Sequence, residues 1–394
     1  MDQKTIKSTM EAIKNMDEVY INWGLLIILI TILVSILIYY LYMRNLTDLE
    51  CSMMNSLYQD SGNFIRSMDY NDKNCQYSLR DYYIMTAYNA CSGGSYKNDF
   101  VDICPLKNVI KQGVRGLDFE IYSINDQPVV STSNVENYNV KETYNYVPFN
   151  SVIDTITSNA FSSATAPNPT DPIILHLRIK SNNQTMLTNM AQIFKGIQNQ
   201  YLLSPTYSNE FQSCDSANSN SQCVSRNLGE IKLQELNTKN GQIRPTIIVI
   251  VDRSNTAFLE NRDFYEFVNM TSNSMFMRLL PYYDIKYTPD MGELQEYNKK
   301  SMTVSLPDNT VYPENPSGIV TREMGCQLLG VAYQQFDENI EENISFFNQA
   351  GYAFALKPEK LRYIPVYIEE TPPNNPKLNF ATRTMETDYY KFET

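Results

Sequence analysis

The sequence predicts an α/β fold built on a parallel sheet, preceded by one helix that spans a membrane. Two observations carry this prediction. Strand-like and helix-like segments alternate along most of the chain, and a run of 25 residues near the amino terminus carries no charge. Such alternation is typical of parallel sheets, either open and doubly wound or closed as a barrel. With 394 residues, the chain is long enough for one large domain or two smaller ones.

The uncharged run extends from Val19 to Met43. It exceeds the roughly 20 residues that a helix needs to cross a bilayer, whereas the apolar part of a signal peptide has only about 7 to 15. Trp23 lies at one end of the run and three tyrosines lie at the other, as in the aromatic belts of membrane proteins. We therefore expect this segment to be a single span that anchors the chain in a lipid bilayer.

Charge sets the expected orientation and excludes one class of partner. Three lysines precede the uncharged run and only Arg44 follows it closely, which favours a cytoplasmic amino terminus and a lumenal or external remainder. The net charge of -12 makes the chain a poor candidate for binding nucleic acid.

Hydrophobic patterning and composition divide the chain into segments. Strand-like runs lie at 82–86, 116–122, 128–131, 172–179, 244–251 and 325–333. Helix-like runs lie near 101–112, 149–161, 184–201, 256–268 and 337–349. The predicted organisation is a tail (1–18), the span (19–43), a polar stalk (44–76), a first sheet-forming half (77–203), a Ser-, Asn- and Gln-rich linker (204–243), a second half (244–365) and a polar tail (366–394).

One predicted strand carries two carboxylates. Residues 116–122 alternate with a period of two, so Asp118 and Glu120 share one face of that strand. Neighbouring carboxylates repel each other, so we expect a positive or polar group to hold them. The chain has a single histidine, His176, which excludes any mechanism that needs two imidazoles within one copy.

The order of several motifs resembles the catalytic barrel of eukaryotic phosphatidylinositol-specific phospholipase C. The motifs of the first half are DYYIMTAYNACSGG (81–94), RGLDFEIY (115–122), QPVVSTS (127–133) and DPIILHLRIK (171–180). Those of the second half are EYNKKSMTVSLP (296–307), MGCQLLGVAYQQ (324–335) and GYAFALKPEKLR (351–362). The resemblance covers residues 77–200 and 244–365. It implies a TIM-like (β/α) barrel of the phosphodiesterase type, with its site at the carboxyl ends of the strands.

The resemblance also shows which functional residues are replaced. The two family histidines that move protons fall on Tyr88 and Thr132. Tyrosine has an unperturbed pKa of about 10 and threonine does not titrate, so neither is a good proton carrier near neutral pH. Family residues that recognise the substrate head group fall on Val304 and Leu306, which are apolar.

The calcium site of the family is only partly kept. Its positions correspond to Asn89, Asp118, Glu120 and Arg178, and the last of these is an acidic residue in the family. Calcium prefers oxygen ligands, so a guanidinium opposes it. We hypothesise that Arg178 supplies internally the positive charge that calcium supplies in active relatives, and we expect no metal and no other cofactor.

Two functions are compatible with these residues. The first is a membrane-anchored barrel without catalytic activity, which binds a phospholipid or a protein at its mouth or serves a structural role. The alternative is an active phosphoric diester hydrolase with altered chemistry, which would use Tyr88 or His176 and would need calcium. His176 itself has two interpretations, a buried core residue or a relocated general base.

Seven cysteines leave the redox state open. They are either unconnected buried thiols or evidence of an oxidising compartment, in which six of them pair. The resemblance makes Cys326 a buried core thiol. The remaining cysteines lie as close pairs in the sequence, Cys51/Cys75, Cys91/Cys104 and Cys214/Cys223.

Overall fold

Eight short parallel strands curl into a nearly closed barrel in the computed structural model of the chain. The structure describes residues 7, 10, 18–58, 64–134, 140–208, 227–239, 241–310, 313–365 and 382–393. The strands are β1 (Tyr82–Ala87), β2 (Gly116–Ile124), β3 (Gln127–Ser131), β4 (Val147–Pro148), β5 (Ile173–Ile179), β6 (Thr238–Lys239), β7 (Gln242–Ile243), β8 (Ile247–Asp252), β9 (Met270–Ser272), β10 (Met277–Pro281), β11 (Met302–Leu306), β12 (Leu328–Val331), β13 (Phe354–Leu356), β14 (Thr384–Glu386) and β15 (Lys391–Glu393).

The helices that accompany these strands lie mostly between consecutive barrel strands. They are α1 (Glu18–Leu57), α2 (Ile103–Lys111), α3 (Phe149–Asn159), α4 (Gln184–Ile197), α5 (Leu233–Leu236), α6 (Arg262–Tyr265), α7 (Tyr282–Lys286), α8 (Met291–Lys300), α9 (Gly318–Glu323) and α10 (Glu338–Ala350). Together with the strands they form the barrel that the sequence predicts, so the predicted fold class is confirmed.

Hydrogen-bonded neighbours follow the order β10-β11-β12-β1-β2-β5-β8-β9. Each of these pairs is parallel. The two strands at the ends of this order, β9 and β10, are consecutive in the chain and are not hydrogen-bonded to each other. The barrel therefore has one unpaired seam. Strand β13 adds antiparallel to β1, and β3 adds antiparallel to the long strand β2.

Burial explains why these segments are strands. All seven residues of β5 and all six residues of β8 are buried, as expected for parallel strands with one face in the barrel and the other under helices. Several of the outer helices are amphipathic and begin with a side-chain cap. Asn183 caps α4, Asp290 caps α8 and Asp337 caps α10. The core of the barrel is thus covered on its outside.

Helix α1 extends well beyond the predicted span. It runs from Glu18 to Leu57, and its apolar part is long and apolar enough to cross a membrane. The predicted stalk (44–76) is therefore not a separate polar connector. Its first part continues α1, and Ile65, Met68 and Cys75 are buried against the barrel.

Other segments differ from the sequence prediction in extent. The helix predicted at 256–268 is a 3-10 turn followed by the short helix α6, because Asn261 caps a new helix start. Strand β3 was predicted among the barrel strands but forms a hairpin with β2. Strands β9, β10 and β11 were not predicted. Residues 209–226 and 240 of the predicted linker (204–243) lie outside the described residues, but residues 227–239 pack on the barrel through buried leucines.

The cysteine pairs expected from sequence proximity are wrong where the structure describes both partners. Cys51 of α1 forms a disulfide with Cys104 of α2. Cys75 and Cys91 are free and buried, so six cysteines do not all pair. Cys326 is also free and buried, as predicted. Cys214 and Cys223 lie outside the described residues.

Residues from Tyr363 onward form a second unit. Its described part is an antiparallel hairpin of β14 and β15. The sequence had predicted only a polar tail from residue 366.

Candidate functional site

The candidate site lies at the carboxyl ends of the barrel strands, around a cavity of about 310 Å³. One wall is polar and the other is apolar. The lining residues are Tyr88, Glu120, Ser133, Arg178, Lys180, Asp252, Ser254, Leu279, Pro281, Leu306, Pro307 and Asn309.

Strand register brings the carboxylates and the basic residues together. In the parallel pair of β2 and β5, Asp118 lies opposite His176 and Glu120 lies opposite Arg178. Because side chains alternate along a strand, all four point to the same side of the sheet, into the barrel. All four are buried. The alternation that the sequence showed therefore produces a compact charged cluster.

Arg178 is the centre of this cluster. Its Nε donates to Asp118 Oδ1 at 3.0 Å and its Nη2 donates to Asp118 Oδ2 at 2.7 Å, so it grips this carboxylate with two bonds. Its Nη1 donates to Glu120 Oε1 at 2.7 Å. Nη2 also donates to Asn89 Oδ1 at 2.9 Å. A bidentate, charge-assisted arrangement of this kind is among the strongest that proteins form.

The cluster fixes the charges of its members. Burial opposes the charge of Arg178, but Asp118, Tyr88 and Glu120 raise the pKa of the guanidinium well above its usual value. Burial likewise favours neutral Asp118, but Arg178 and His176 lower the pKa of its carboxyl below the usual range. Arg178 therefore stays protonated and Asp118 ionised at neutral pH.

Glu120 and Asn89 complete the shell around Arg178. The second oxygen of Glu120 accepts hydrogen bonds from the Tyr122 hydroxyl at 2.7 Å and from the Ser133 backbone N–H at 3.1 Å. Asn89 has a φ of 43°, a left-handed conformation that asparagine tolerates better than most residues. This turn follows β1 and brings the amide oxygen of Asn89 to Arg178.

The aromatic ring of Tyr88 covers the guanidinium. The centre of the Tyr88 ring lies 4.8 Å from the Arg178 Cζ atom, within cation–π distance. The same ring packs edge-on against the ring of Tyr96. Burial raises the pKa of Tyr88 to about 12, although Arg178 partly offsets this effect. The phenol is thus a weaker proton carrier here than in water.

His176 has no free ring nitrogen. Nδ1 lies 2.7 Å from Asp118 Oδ1, and Nε2 lies 2.9 Å from the hydroxyl oxygen of Ser272. Since an ionised carboxylate only accepts hydrogen bonds, Nδ1 carries a proton. The side chain is 1% exposed. The structure therefore places His176 below the cavity, in a buried chain of hydrogen bonds.

The other predicted site positions lie apart from this cluster. Thr132 is buried, and its hydroxyl donates to the backbone oxygen of Tyr96 at 3.0 Å. Leu306 lines the cavity, whereas Val304, two residues earlier on β11, is fully buried below it.

Several cavity residues were not predicted from the sequence. Lys180 lies two positions after Arg178 and reaches the cavity just beyond the end of β5. Asp252 ends β8, and its Oδ1 accepts bonds from Ser254 and Asn273. Both could have been found by asking which polar residues follow the predicted barrel strands, because the site of a parallel barrel lies there.

The donor set does not fit a calcium ion. Each carboxylate oxygen of Asp118 and Glu120 already accepts a bond, and Asn89 Oδ1 is bonded to Arg178. A guanidinium fills the space between these oxygens, whereas calcium takes six to eight oxygen ligands. Among the described residues, no group of three or more His, Cys, Asp or Glu side chains is arranged to hold a metal ion.

Comparison with known protein families gives one match, which covers part of the chain. Residues 75–224 match the phosphatidylinositol-specific phospholipase C, X domain. No curated protein sequence matches the chain significantly.

Solved structures resemble the barrel at low sequence identity. PLC21 from L. pealei superposes with a TM-score of 0.54 and 17% identity over 73% of this chain. PLC21 from S. officinalis superposes with a TM-score of 0.51 at the same identity and coverage. The chain spans only 38% of the length of either protein. The phosphatidylinositol-specific phospholipase C from Listeria monocytogenes gives a TM-score of 0.38 at 11% identity, over 70% of this chain and 95% of that one. The two PLC21 likenesses show the fold alone.

Proposed function

The chain contains a barrel of the phosphatidylinositol-specific phospholipase C type, and on this premise we propose that it is a single-pass membrane protein whose barrel binds rather than cleaves. In this proposal α1 anchors the barrel in a bilayer, and the cavity at the carboxyl ends of the strands receives a phospholipid head group or a protein segment. The family reaction does not take place there.

The observation that carries this proposal is the position of Arg178. Its guanidinium lies between the carboxylates of Asp118 and Glu120, with four hydrogen bonds of 2.7 to 3.0 Å. A metal ion would have to displace a buried cation, and breaking a buried ion pair costs about 3 to 5 kcal/mol. The charge at this place is thus a permanent part of the protein, and no soluble ion is needed to supply it.

The replaced proton carriers also argue against the family reaction. General acid–base catalysis needs a group whose pKa lies near the working pH. Tyr88 has a pKa raised to about 12, and the Thr132 hydroxyl is bonded to a backbone oxygen. Neither residue is suited to move a proton between a hydroxyl and a leaving group at neutral pH.

The hydrolase alternative is supported by the family match and by the retained Asn89, Asp118 and Glu120, but not by the position of its candidate base. His176, its candidate base, is 1% exposed, and both of its ring nitrogens are engaged. A base must lie within hydrogen-bond reach of the proton that it removes. His176 reaches Asp118 and Ser272 instead of the cavity.

Anchoring is supported by the length and exposure of α1. The 18-residue window with the highest hydropathy in this helix is entirely exposed, so the barrel does not cover its apolar surface. A bilayer would cover it. The lysines before the span and the single Arg44 after it favour an amino terminus in the cytoplasm and a barrel on the lumenal or external side.

A calcium titration tests the role of Arg178. We expect no calcium-dependent change in the thermal unfolding of the wild-type chain. Arg178→Glu restores an acidic residue at this position, so calcium should raise its unfolding temperature. The matched control Arg178→Gln removes the guanidinium without adding a carboxylate and should respond less. Tight calcium binding by the wild-type chain in calorimetry would contradict the proposal.

A hydrolysis assay separates binding from catalysis. Full-length protein in phosphatidylinositol vesicles, with and without calcium, should release no inositol phosphate. The control is Asp118→Asn, which removes one carboxylate of the cluster. If the wild-type chain released inositol phosphate and Asp118→Asn did not, the barrel would be an enzyme.

A further inference from the structure

Two buried carboxyl groups meet where helix α1 packs against the loop that follows β1. Glu50 of α1 is 6% exposed, and Asp99 of the loop is 7% exposed. A Cβ on Gly94 would collide with Glu50 Oε1 and with Asp99 Oδ2 alike, so these two oxygens converge above that glycine. Glu50 lies seven residues after Met43, the end of the uncharged run, and it is buried by the barrel instead of a bilayer.

Hydrogen-bond donors around the pair decide which carboxyl holds a proton. Asp99 Oδ2 accepts a hydrogen bond from the Ser95 N–H at 2.7 Å, and Asp99 Oδ1 accepts one from the Phe100 N–H at 2.9 Å. Such bonds stabilise a carboxylate. Within the described residues, no N–H group donates to the Glu50 carboxyl, whose polar partner is Asp99. A neutral Glu50 donates its own O–H to Asp99, whereas an ionised Glu50 would repel it.

Burial and the charge of Asp99 both favour the neutral form of Glu50. Burial is the larger cause, and together they raise the pKa of the Glu50 carboxyl from its usual 4.5 to about 8. Of the charges in the described part of the chain, that of Asp99 is the one that shifts this pKa. Glu50 therefore keeps its proton at neutral pH while it is buried.

The elements packed around Glu50 carry other titratable groups, but these are engaged elsewhere or exposed. They are Asp48 on α1, Tyr96, Lys97 and Asp102 in the loop, and Lys107 on α2. The Tyr96 hydroxyl is bonded to Gln334 at 2.9 Å, and Lys97 is paired with Glu142 at 2.8 Å. The other three side chains are exposed. The interaction between Glu50 and Asp99 is thus not compensated by a buried cation among these groups.

The same loop, residues 88–102, is connected to the candidate site. It contains Asn89, whose amide oxygen accepts a hydrogen bond from Arg178. At its far end Cys104, in the first turn of α2, is joined by a disulfide to Cys51, the residue after Glu50. This link keeps α1 beside the loop even when the two carboxyl groups repel each other. Separation of the pair is thus limited to a local movement of the loop.

We propose that Glu50 and Asp99 form a proton-controlled clasp between α1 and the loop of residues 88–102. At low pH the shared proton closes the clasp, and as the pH rises the loss of this proton loosens the loop. The inference goes beyond the proposed binding function, and it holds whether or not the cavity receives a ligand.

The sign of the effect follows from the two states of Glu50. In the open loop Glu50 is solvated and titrates near its usual pKa, so between pH 5 and 8 opening releases a proton. Opening should therefore become up to roughly tenfold more favourable for each pH unit in this window, and it should level off at higher pH.

Hydrogen exchange of the loop tests the proposal. Full-length wild-type protein and Glu50→Gln are compared in detergent micelles by mass spectrometry, with rates corrected for the intrinsic effect of pH on amide exchange. Between about pH 6 and about pH 8, exchange of the wild-type loop should rise by at least roughly tenfold. Glu50→Gln has a similar shape and cannot ionise, so it should show no such rise. The matched control Asp48→Asn removes an exposed carboxylate of the same helix and should behave like the wild-type chain.

Two results would overturn the clasp. The first is a rise of equal size in the wild-type chain and in Glu50→Gln, because another group would then control the loop. The second is protection at high pH that a chelator removes, since a metal cation would then join the two carboxyl groups in place of a proton.

Infrared spectroscopy of the wild-type chain provides a measurement that does not depend on the folding of Glu50→Gln. A carboxylic-acid band should disappear as the pH rises through about 8. If no such band titrates above neutral pH, Glu50 is already ionised in the folded chain and the proposal is wrong.

Discussion

Arg178 and Lys357 are buried cations at opposite ends of the barrel, and their pKa values are shifted in opposite directions. Arg178, at the carboxyl end, is bound to two carboxylates, which raise the pKa of its guanidinium well above the usual value. Lys357 directly follows β13 and is not part of the candidate site. It lies at the amino end, where its backbone N–H donates to the Asp81 oxygen. Its ammonium donates to the Asn298 backbone oxygen at 3.1 Å, and burial lowers its pKa to about 7.

The difference shows what each end of the barrel requires. At the amino end burial outweighs the attraction of the nearby Asp81 carboxylate, so Lys357 sheds its proton near neutral pH. At the carboxyl end the charge of Arg178 cannot be lost, because Asp118 and Glu120 would then repel each other in a dry site. The charge of Arg178 at the mouth is therefore fixed, whereas that of Lys357 at the base is removable.

The largest expected effect is the loss of Arg178. Arg178→Met leaves two buried carboxylates without a partner, so we expect the free energy of unfolding to fall by about 3 to 5 kcal/mol. Urea unfolding followed by circular dichroism measures it. The matched variant Lys357→Met removes the second of the two compared cations and should change the value by less than about 1.5 kcal/mol at pH 8. Equal losses of stability in the two variants would contradict the proposed difference between Arg178 and Lys357.

The next largest effect is a pH dependence of the free energy of unfolding, which arises from Lys357. Between pH 7 and 10 the unfolded chain holds the lysine proton and the folded chain does not. The free energy of unfolding therefore rises with pH and falls as pH drops toward 7. Relative to Lys357→Met, the wild-type chain should gain up to about 1.4 kcal/mol per pH unit in this window. A flat difference between the two proteins would mean that Lys357 keeps its charge when folded.

The smallest effect concerns the ring over Arg178. Tyr88→Phe keeps the aromatic face and should cost less than about 1 kcal/mol, whereas Tyr88→Ala loses a cation–π contact of about 0.5 to 2 kcal/mol as well as apolar packing. Chemical unfolding of both variants measures these costs. If the two substitutions had the same effect, the ring would contribute nothing to the stability of the cluster.

The parts of the fold that could be predicted are those with a strong local pattern. Strands β2, β5 and β8 are rich in apolar residues, and the period of two correctly placed Asp118 and Glu120 on one face of β2. Strands β9 and β10 were missed because they are short and are separated by only four residues, too few for the helix that usually marks a parallel strand. Local sequence patterns therefore do not reveal two short consecutive barrel strands such as β9 and β10.

Contacts between distant segments could not be read from the sequence. Cys51 and Cys104 are 53 residues apart, and proximity along the chain favoured other pairs. The packing of α1 is equally non-local, since Glu50 of this helix is buried against Gly93 and Gly94, more than 40 residues later in the chain. The pairing of Arg178 with the carboxylates could be proposed because the family resemblance places Arg178 at a calcium-ligand position and strand alternation restricts side chains to two faces.

The unpaired seam between β9 and β10 determines where the barrel can open locally. A fully closed barrel has no edge, but here two strands carry backbone groups that no neighbouring strand bonds across the gap. Amide hydrogens of these edges should exchange with deuterated solvent sooner than those of β5, which is paired on both sides. Local opening would start at this line. Since Pro281 of β10 and Asp252 beside β9 both border the cavity, such opening would widen the mouth from one side only.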